Sequence, residues 1–208
     1  MSHTYRRRHQ IGISTIDRSF DALVPAPLRR MSRTHWTPVD VAIRAAGLLS
    51  PTRGMRVLDV GAGIGKLCAV GAMVSGGLWC GVELQAPLVD AARQLARALG
   101  VARNTLYLHA DALTLDWRAF DAVYLYNPFE PERLSDREQA TTYRMDIALV
   151  EARLAHLPAH TRVVTLHGFG GVMPRSYDLV YQERVPVIGL DLVLWVQSSR
   201  AKPAPRAS

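Results

Sequence analysis

The residues best suited to chemistry lie in one short stretch, where three glycines follow a carboxylate. Asp59 lies near the end of a short apolar run that predicts a buried strand, and Gly61, Gly63 and Gly65 come next. Glycine accepts a positive φ and has no Cβ, so a ligand can approach the main chain closely. A helical pattern over residues 64–74 follows, and we expect the first amides of that helix to face a bound molecule.

Two phosphate-binding patterns fit this turn poorly. A P-loop requires G-x-x-x-x-G-K-[ST], but Val60 stands in the place of its first glycine and Leu67 in the place of its hydroxyl residue. A dinucleotide fingerprint requires G-x-G-x-x-G, and Lys66 occupies the place of its third glycine. A carboxylate beside the turn also repels a pyrophosphate and favours a cationic ligand. A tight turn that binds nothing is the alternative for the glycines alone.

The pattern D-x-G-x-G-x-G resembles motif I of the seven-strand methyltransferases that use S-adenosylmethionine (SAM). SAM has no phosphate and carries sulfonium and ammonium groups, which suits the carboxylate of Asp59. The resemblance implies SAM as cofactor, S-adenosylhomocysteine as product and no metal. It assigns the first cofactor contacts to Asp59, Gly61, Ala62, Gly63 and Gly65.

Further carboxylates follow the next two predicted strands. Glu83 ends a short apolar strand 18 residues after Gly65, where an acidic side chain in nucleoside-binding α/β folds receives the ribose hydroxyls. The resemblance places Leu84 beside it at the cofactor, and gives Asp111 and the amide of Ala112 to the adenine ring. The alternatives are a free surface carboxylate for Glu83 and a helix cap for Asp111.

The fourth predicted strand ends in Asn127-Pro128-Phe129-Glu130. The first three residues resemble the [DN]-P-P-[YFW] motif of amino-methyltransferases with one proline missing, which disfavours nucleobase acceptors. They also resemble the Asn-Asn-Phe of the non-SET, seven-strand histone lysine methyltransferases. That resemblance implies that Asn127 orients the acceptor nitrogen and also meets the cofactor, that Phe129 walls the channel, and that Glu130 attracts a cationic substrate. Pro128 belongs to the same predicted catalytic set. A strand-end turn with a buried Phe129 is the alternative.

The acceptor stays open at this stage. An amine nitrogen of a protein side chain is the preferred acceptor, with RNA or a small molecule as alternatives. For RNA, arginines of the N-terminal arm, such as Arg6–Arg8, would hold phosphates, and binding would weaken steeply with salt. His167 in a glycine-rich loop is a candidate base, although a structural role is the more common one. A nucleoside-binding protein without catalysis is the remaining alternative.

The elements that position these residues alternate between strands and helices. Thr37 and Pro38 predict the N-cap and first turn of a helix before the first strand. The alternation predicts an α/β fold with one doubly wound, mostly parallel sheet, and the resemblance implies seven strands with the last antiparallel. The carboxyl ends of parallel strands share one edge, so the glycine turn, Glu83, Asp111 and Asn127 are all expected there.

Charge divides the 208 residues into three parts. The chain carries +7, of which +5 falls in residues 1–34 and +3 in residues 198–208, so the intervening residues are nearly neutral. We predict a basic, largely irregular arm over 1–34, a catalytic domain over 35–197 and a disordered tail over 198–208. The absence of a membrane-length apolar run or an apolar leader, with Cys68 and Cys80 in apolar segments, predicts a cytoplasmic protein with no disulfide or metal pair.

Overall fold

Seven strands build the protein into a single sheet. The computed structural model describes residues 15–31, 36–128, 137–186 and 188–199. The strands are β1 Arg56–Val60, β2 Leu78–Glu83, β3 Thr105–His109, β4 Ala122–Leu125, β5 Arg162–Leu166, β6 Tyr177–Val185 and β7 Leu190–Gln197. The helices are α1 Thr15–Asp21, α2 Val39–Leu49, α3 Lys66–Ser75, α4 Ala86–Ala98 and α5 Arg137–Ala155. Short 3₁₀ turns occupy Ala26–Met31, Ala112–Thr114 and Trp117–Ala119.

The strand order in the sheet is β3-β2-β1-β4-β5-β7-β6. The first five of these strands are parallel, and β7 runs antiparallel to both β5 and β6. The prediction of a doubly wound, mostly parallel sheet of seven strands is confirmed, including the antiparallel last strand. The order reverses on either side of β1, and such a switch point is where ligands bind in open α/β sheets.

The helices cover both faces of the sheet. On one face Val57 of β1 belongs to a buried cluster with residues of α2, α3 and α4, such as Leu49, Ala69 and Leu95. On the other face Leu58 joins residues of α5 such as Leu154. Burial on both sides explains why β1 and β4 are runs of apolar residues rather than alternating ones.

The start of α2 differs from the prediction that Thr37 is its N-cap. Pro38 occupies the cap position, and no side chain of that residue caps the helix. The Thr37 hydroxyl is instead 2.9 Å from the Tyr124 hydroxyl on β4, which commits it to a tertiary hydrogen bond. The amide of Val39 donates to Asp17 Oδ1 at 3.0 Å, so the cap comes from 22 residues upstream.

Part of the predicted N-terminal arm is helical where the structure describes it. Within residues 1–34, α1 is followed by the turn Ala26–Met31, and Phe20 and Val24 are buried in the core. The predicted irregular character concerns residues 1–14 and 32–34 as well, and these lie outside the described residues, as do residues 200–208 of the predicted tail.

Candidate functional site

The strand ends bring the predicted site residues to one edge of the sheet. Val60, the last residue of β1, pairs with Val82 on one side and Leu125 on the other. The glycine turn follows Val60, Glu83 follows Val82, and Asn127 lies two residues beyond Leu125. The expected convergence of these three features is therefore found, because parallel neighbours in register end together.

Each glycine of the turn has a different neighbour. A Cβ added to Gly61 would lie 3.1 Å from Pro128 Cβ, and one added to Gly65 would lie 2.3 Å from Tyr107 Cε1. A Cβ on Gly63 would meet only Trp36 atoms, at 3.9 Å. All three have positive φ, between 56° and 72°. Gly61 and Gly65 are therefore required by packing, whereas Gly63 leaves open space beside Trp36.

The amides of the turn itself are used inside the protein. Gly61 and Ala62 both donate to the carbonyl of Val82 at 2.9 Å, and Gly65 donates to Ala62 at 2.8 Å. Gly63 donates to Glu83 Oε2 at 3.0 Å. A molecule bound at this turn would therefore meet side chains and the opening of α3 rather than these four amides.

Glu83 is fixed by two main-chain donors. Besides Gly63, the amide of Gln85 donates to its other oxygen, Oε1, at 3.0 Å. Each carboxylate oxygen keeps a second lone pair, so both can still accept from a pair of neighbouring hydroxyls. Leu84 beside it is 64% exposed, which presents an apolar side chain at the edge.

Asp59 is a buried carboxylate in the wall of the site. Desolvation by burial raises its pKa from 3.8 to about 7, the Cys68 thiol lowers it through a hydrogen bond, and the charge of Glu83 raises it. The Cys68 Sγ lies 3.5 Å from Asp59 Oδ2. A cationic group placed beside Asp59 would favour its ionised form and offset this cost of burial.

A narrow cavity adjoins the turn. Its lining combines the glycine turn, Asp59, aromatic side chains and Lys66; the residues are Trp36, Thr37, Asp59, Val60, Gly61, Ala62, Gly63, Ile64, Lys66, Leu67, Tyr124 and Tyr126. A wider cavity lies by Trp117 and Arg153 and includes no predicted site residue. We take the narrow one as the candidate site because Asp59, Gly61 and Gly63 of the predicted site line it.

Two features of this cavity lie outside the predicted site residues. The buried indole Nε1 of Trp36 has no hydrogen-bond partner among the described residues. The buried Lys66 ammonium contacts Asp17 Oδ1 at 2.5 Å and Asp21 Oδ1 at 3.3 Å. The sequence carries one signal for the Lys66 contact. Asp17 and Asp21 are the only acidic residues among the first 34, and their spacing places them on one face of a helix.

The predicted adenine contacts lie after β3. Asp111 Oδ1 accepts from the amide of Leu113 at 2.8 Å and caps the turn Ala112–Thr114, which is the alternative role considered for it. Ala112 is buried, and its carbonyl accepts from Trp117 Nε1 at 2.8 Å. One lone pair of Asp111 Oδ1 is used by the cap, and its other oxygen stays compatible with a ligand.

The acceptor side of the edge is built on unusual backbone. Asn127 has φ 44° and His167 has φ 62°, the left-handed region that non-glycine residues seldom adopt. The Asn127 amide donates to the Gly168 carbonyl at 3.1 Å, and the His167 amide donates to the Asp191 carbonyl at 3.0 Å. The ends of β4 and β5 are thereby joined, and Pro128 packs against Gly61. Phe129 and Glu130 lie outside the described residues.

Neither a metal-ligand cluster nor a membrane-spanning helix is found in the described ranges. There, no three His, Cys, Asp or Glu side chains converge as metal ligands do. Among the same residues, no helix has the length and apolar character that crossing a bilayer requires.

Residues 57–145 match a protein family described as a methyltransferase domain. Solved structures share the fold. An RNA methyltransferase from Salinibacter ruber in complex with S-adenosylhomocysteine aligns with a TM-score of 0.57 at 20% identity, over 86% of this chain and 96% of that chain. TrmN from Thermus thermophilus aligns with a TM-score of 0.58 at 20% identity, over 76% of this chain and 48% of that chain. A mutant of MtNAS in complex with SAM aligns with a TM-score of 0.60 at 14% identity, over 87% of this chain and 71% of that chain.

The matched segment runs from β1 into α5 and contains the glycine turn, Glu83, Asp111 and Asn127. Residues 57–145 are therefore similar to a methyltransferase domain, and the strand order is that of the Rossmann-like fold that the solved methyltransferase structures share.

Proposed function

We propose that this protein is a SAM-dependent methyltransferase and that it transfers the methyl group to an amine nitrogen of a protein side chain, of the lysine type. The observation that carries the proposal is the backbone of Asn127, held left-handed at the end of β4 beside the glycine turn. Strained polar residues of this kind cluster at functional sites. An amide side chain there offers a carbonyl oxygen to an N–H donor.

The cavity residues and the neighbouring Glu83 fit the cofactor by their chemistry. Asp59 in the cavity wall offers a carboxylate to the ammonium group, and Glu83 at the end of β2 offers one to the ribose hydroxyls. Gly63 leaves room for the ligand beside the main chain. The Trp36 indole supplies a donor without a protein acceptor among the described residues. When bound, SAM supplies a methyl group activated by its sulfonium. We assign Leu84, Asp111 and Ala112 to the adenosine part, as the sequence predicts.

The protein's part in the chemistry is to place a lone pair. Asn127 would accept one hydrogen bond from the amine, which aligns the nitrogen for in-line displacement. The ammonium group of the acceptor first loses a proton to water or a nearby acceptor, which frees the lone pair. The nitrogen–carbon bond then forms as the sulfur–carbon bond breaks, and S-adenosylhomocysteine is the leaving group. Pro128, packed on Gly61, ties this nitrogen site to the turn that holds the cofactor. Phe129 and Glu130 keep the roles that the resemblance implies for them.

Charge at the edge favours a cationic acceptor. Glu83 and Asp111 place carboxylates there, and a cation beside Asp59 favours the ionised form of that residue as well. Such charges attract an ammonium group and repel phosphates. In the described part of the arm, Arg29 donates to the carbonyls of Val24 at 2.8 Å and Ala22 at 3.0 Å. Two N–H groups of the Arg29 guanidinium are therefore already hydrogen-bonded within the protein, which leaves fewer donors for a phosphate.

RNA is the second candidate acceptor. It is favoured by the charge of +5 over residues 1–34. The fold match to an RNA methyltransferase over 96% of that chain agrees with it. An RNA acceptor predicts binding whose affinity falls steeply between low and physiological salt, whereas a lysine acceptor predicts a shallow dependence.

The two acceptors are separated by labelling. The protein is incubated with methyl-labelled SAM and lysate of its host, and the products are treated with RNase or with protease. Label lost only to protease supports the protein acceptor, and label lost only to RNase overturns it in favour of RNA. If neither protein nor RNA carries label although calorimetry confirms SAM binding, the acceptor is a small molecule or the protein binds SAM without catalysis. Either result also overturns the proposal.

Asn127→Gly is the matched variant for this assay. Glycine keeps the positive φ at position 127 and removes only the side chain, whereas alanine would add backbone strain. We expect the label to fall to background with this variant. Gly100→Ala, at a positive-φ position with nothing near the added Cβ, controls for general effects of backbone substitution.

A further inference from the structure

A buried cluster of three charges joins the N-terminal helix to the cofactor cavity. The Lys66 ammonium contacts Asp17 and Asp21, and all three side chains are less than 10% exposed. The Phe20 ring lies 5.4 Å from the same ammonium. Burying an ion pair is weak evidence for stability, because desolvation offsets the attraction. The placement of the cluster is therefore more informative than its energy.

The cluster connects the two walls of the cavity. Lys66 begins α3 directly after the glycine turn and lines the cavity. Asp17 Oδ1, which accepts from Lys66, also accepts from the amide of Val39 at the start of α2. Trp36 and Thr37, which form the opposite wall, lie just before that amide. A single carboxylate oxygen thus ties the wall of α2 to the wall of α3.

We infer that Asp17 is a positioning residue for cofactor binding, which holds the wall of Trp36 and Thr37 against the glycine turn. The inference rests on the cofactor site proposed above. Trp36 faces Gly63, where an added Cβ would lie 3.9 Å from its Nε1. With the wall held there, the indole N–H is available to an acceptor on the cofactor, such as its carboxylate. Without Asp17, the amide of Val39 and the ammonium of Lys66 both lose a partner.

The experiment measures SAM affinity by calorimetry and dissociation by stopped flow for three variants. Asp17→Ala removes both contacts, and we expect the Kd to rise at least about tenfold, mostly through faster dissociation. Asp17→Asn keeps an acceptor for the Val39 amide but loses the charge. Its Kd for SAM should therefore lie between those of Asp17→Ala and wild type. Asp40→Ala is the matched control, because Asp40 lies in the first turn of α2 and is 58% exposed. Its affinity should equal that of wild type.

Amide exchange of the wild-type protein gives a readout that needs no variant. If the wall closes on the cofactor, S-adenosylhomocysteine slows exchange over Thr15–Asp21 and at Val39. Unchanged exchange there, or an Asp17→Ala protein that melts earlier yet binds SAM as wild type does, overturns the inference and leaves Asp17 a purely structural residue. A wild-type protein that binds no SAM overturns the cofactor site itself, which is a separate failure.

Discussion

The two sides of the sheet edge are built differently. On the cofactor side, β1, β2 and β3 end in glycines and carboxylates whose main-chain bonds and packing partners lie close by, as with Gly65 against Tyr107 and Gly63 on Glu83. On the acceptor side, β4 and β5 end in Asn127 and His167, two non-glycine residues with positive φ. The first side is defined by backbone and burial, and the second by particular side chains on unusual backbone.

This difference teaches where specificity is located. The turn proposed to bind the cofactor has strict steric needs at Gly61 and Gly65, so its residues are constrained by the fold. The acceptor is met by side chains that the fold only holds in place. Changes on the cofactor side should therefore alter stability and SAM binding together, whereas changes on the acceptor side should alter methyl transfer with little effect on SAM binding.

The largest effect is expected at Asp59 on the cofactor side. Its pKa of about 7, raised from 3.8 mainly by burial, means that the folded protein keeps this proton over a range where the unfolded chain releases it. The stability it contributes is full below about pH 4 and is lost as the pH rises through about 7. Asp59→Asn removes this pH dependence. In the cofactor-free protein, the unfolding free energy of the variant should therefore rise relative to that of wild type by about 4 kcal/mol as the pH increases from about 4 to above about 7. Urea unfolding at several pH values measures the gain, and parallel profiles would contradict it.

Gly65→Ala should have the next largest effect. The added methyl would lie 2.3 Å from Tyr107 Cε1 at a φ of +70°, so the unfolding free energy should fall by about 3 kcal/mol or more. Tyr107→Leu in the same chain should restore part of the loss, because it removes the ring that the methyl meets. A double-mutant cycle by thermal unfolding tests this coupling, and additive effects would show that Gly65 is not held by Tyr107.

On the acceptor side, Asn127→Gly should separate transfer from binding. We expect methyl transfer to drop about 100-fold with a much smaller change in the SAM Kd, since the backbone is preserved and an orienting hydrogen bond is lost. Steady-state assays on the labelled acceptor and calorimetry give the two values. Parallel losses of transfer and of SAM affinity would place Asn127 on the cofactor side and break the comparison.

Trp36→Phe should have a smaller effect. The change keeps an aromatic wall and removes the buried N–H that lacks a partner among the described residues. SAM affinity should fall about tenfold, and the melting temperature of the cofactor-free protein should hold or rise, because an unsatisfied donor is gone. An unchanged Kd would mean that the indole N–H meets no cofactor atom.

The sequence predicts the convergence of these strand ends for a physical reason. Strand ends followed by glycines or carboxylates are local patterns, and parallel register brings them together, as with Glu83 and the turn after Val60. The Asp17–Lys66 contact spans 49 residues and follows from packing that no local pattern shows. For the same reason the sequence predicts a helix cap at Thr37, whereas its hydroxyl is hydrogen-bonded to that of Tyr124, 87 residues away. The left-handed backbone of Asn127 likewise depends on its bond to the loop after β5.

The most direct test of the central claim compares two glycines by SAM titration. Gly63 and Gly54 both have positive φ, at +56° and +81°, but Gly54 has nothing within 4 Å of an added Cβ and precedes β1 at the opposite end of that strand. Alanine at either position should cost about 1 kcal/mol or more of stability from backbone strain. If SAM lies against the turn, Gly63→Ala weakens its binding at least about tenfold, and Gly54→Ala leaves it unchanged. Equal SAM affinity in the two variants would contradict a cofactor site at this turn.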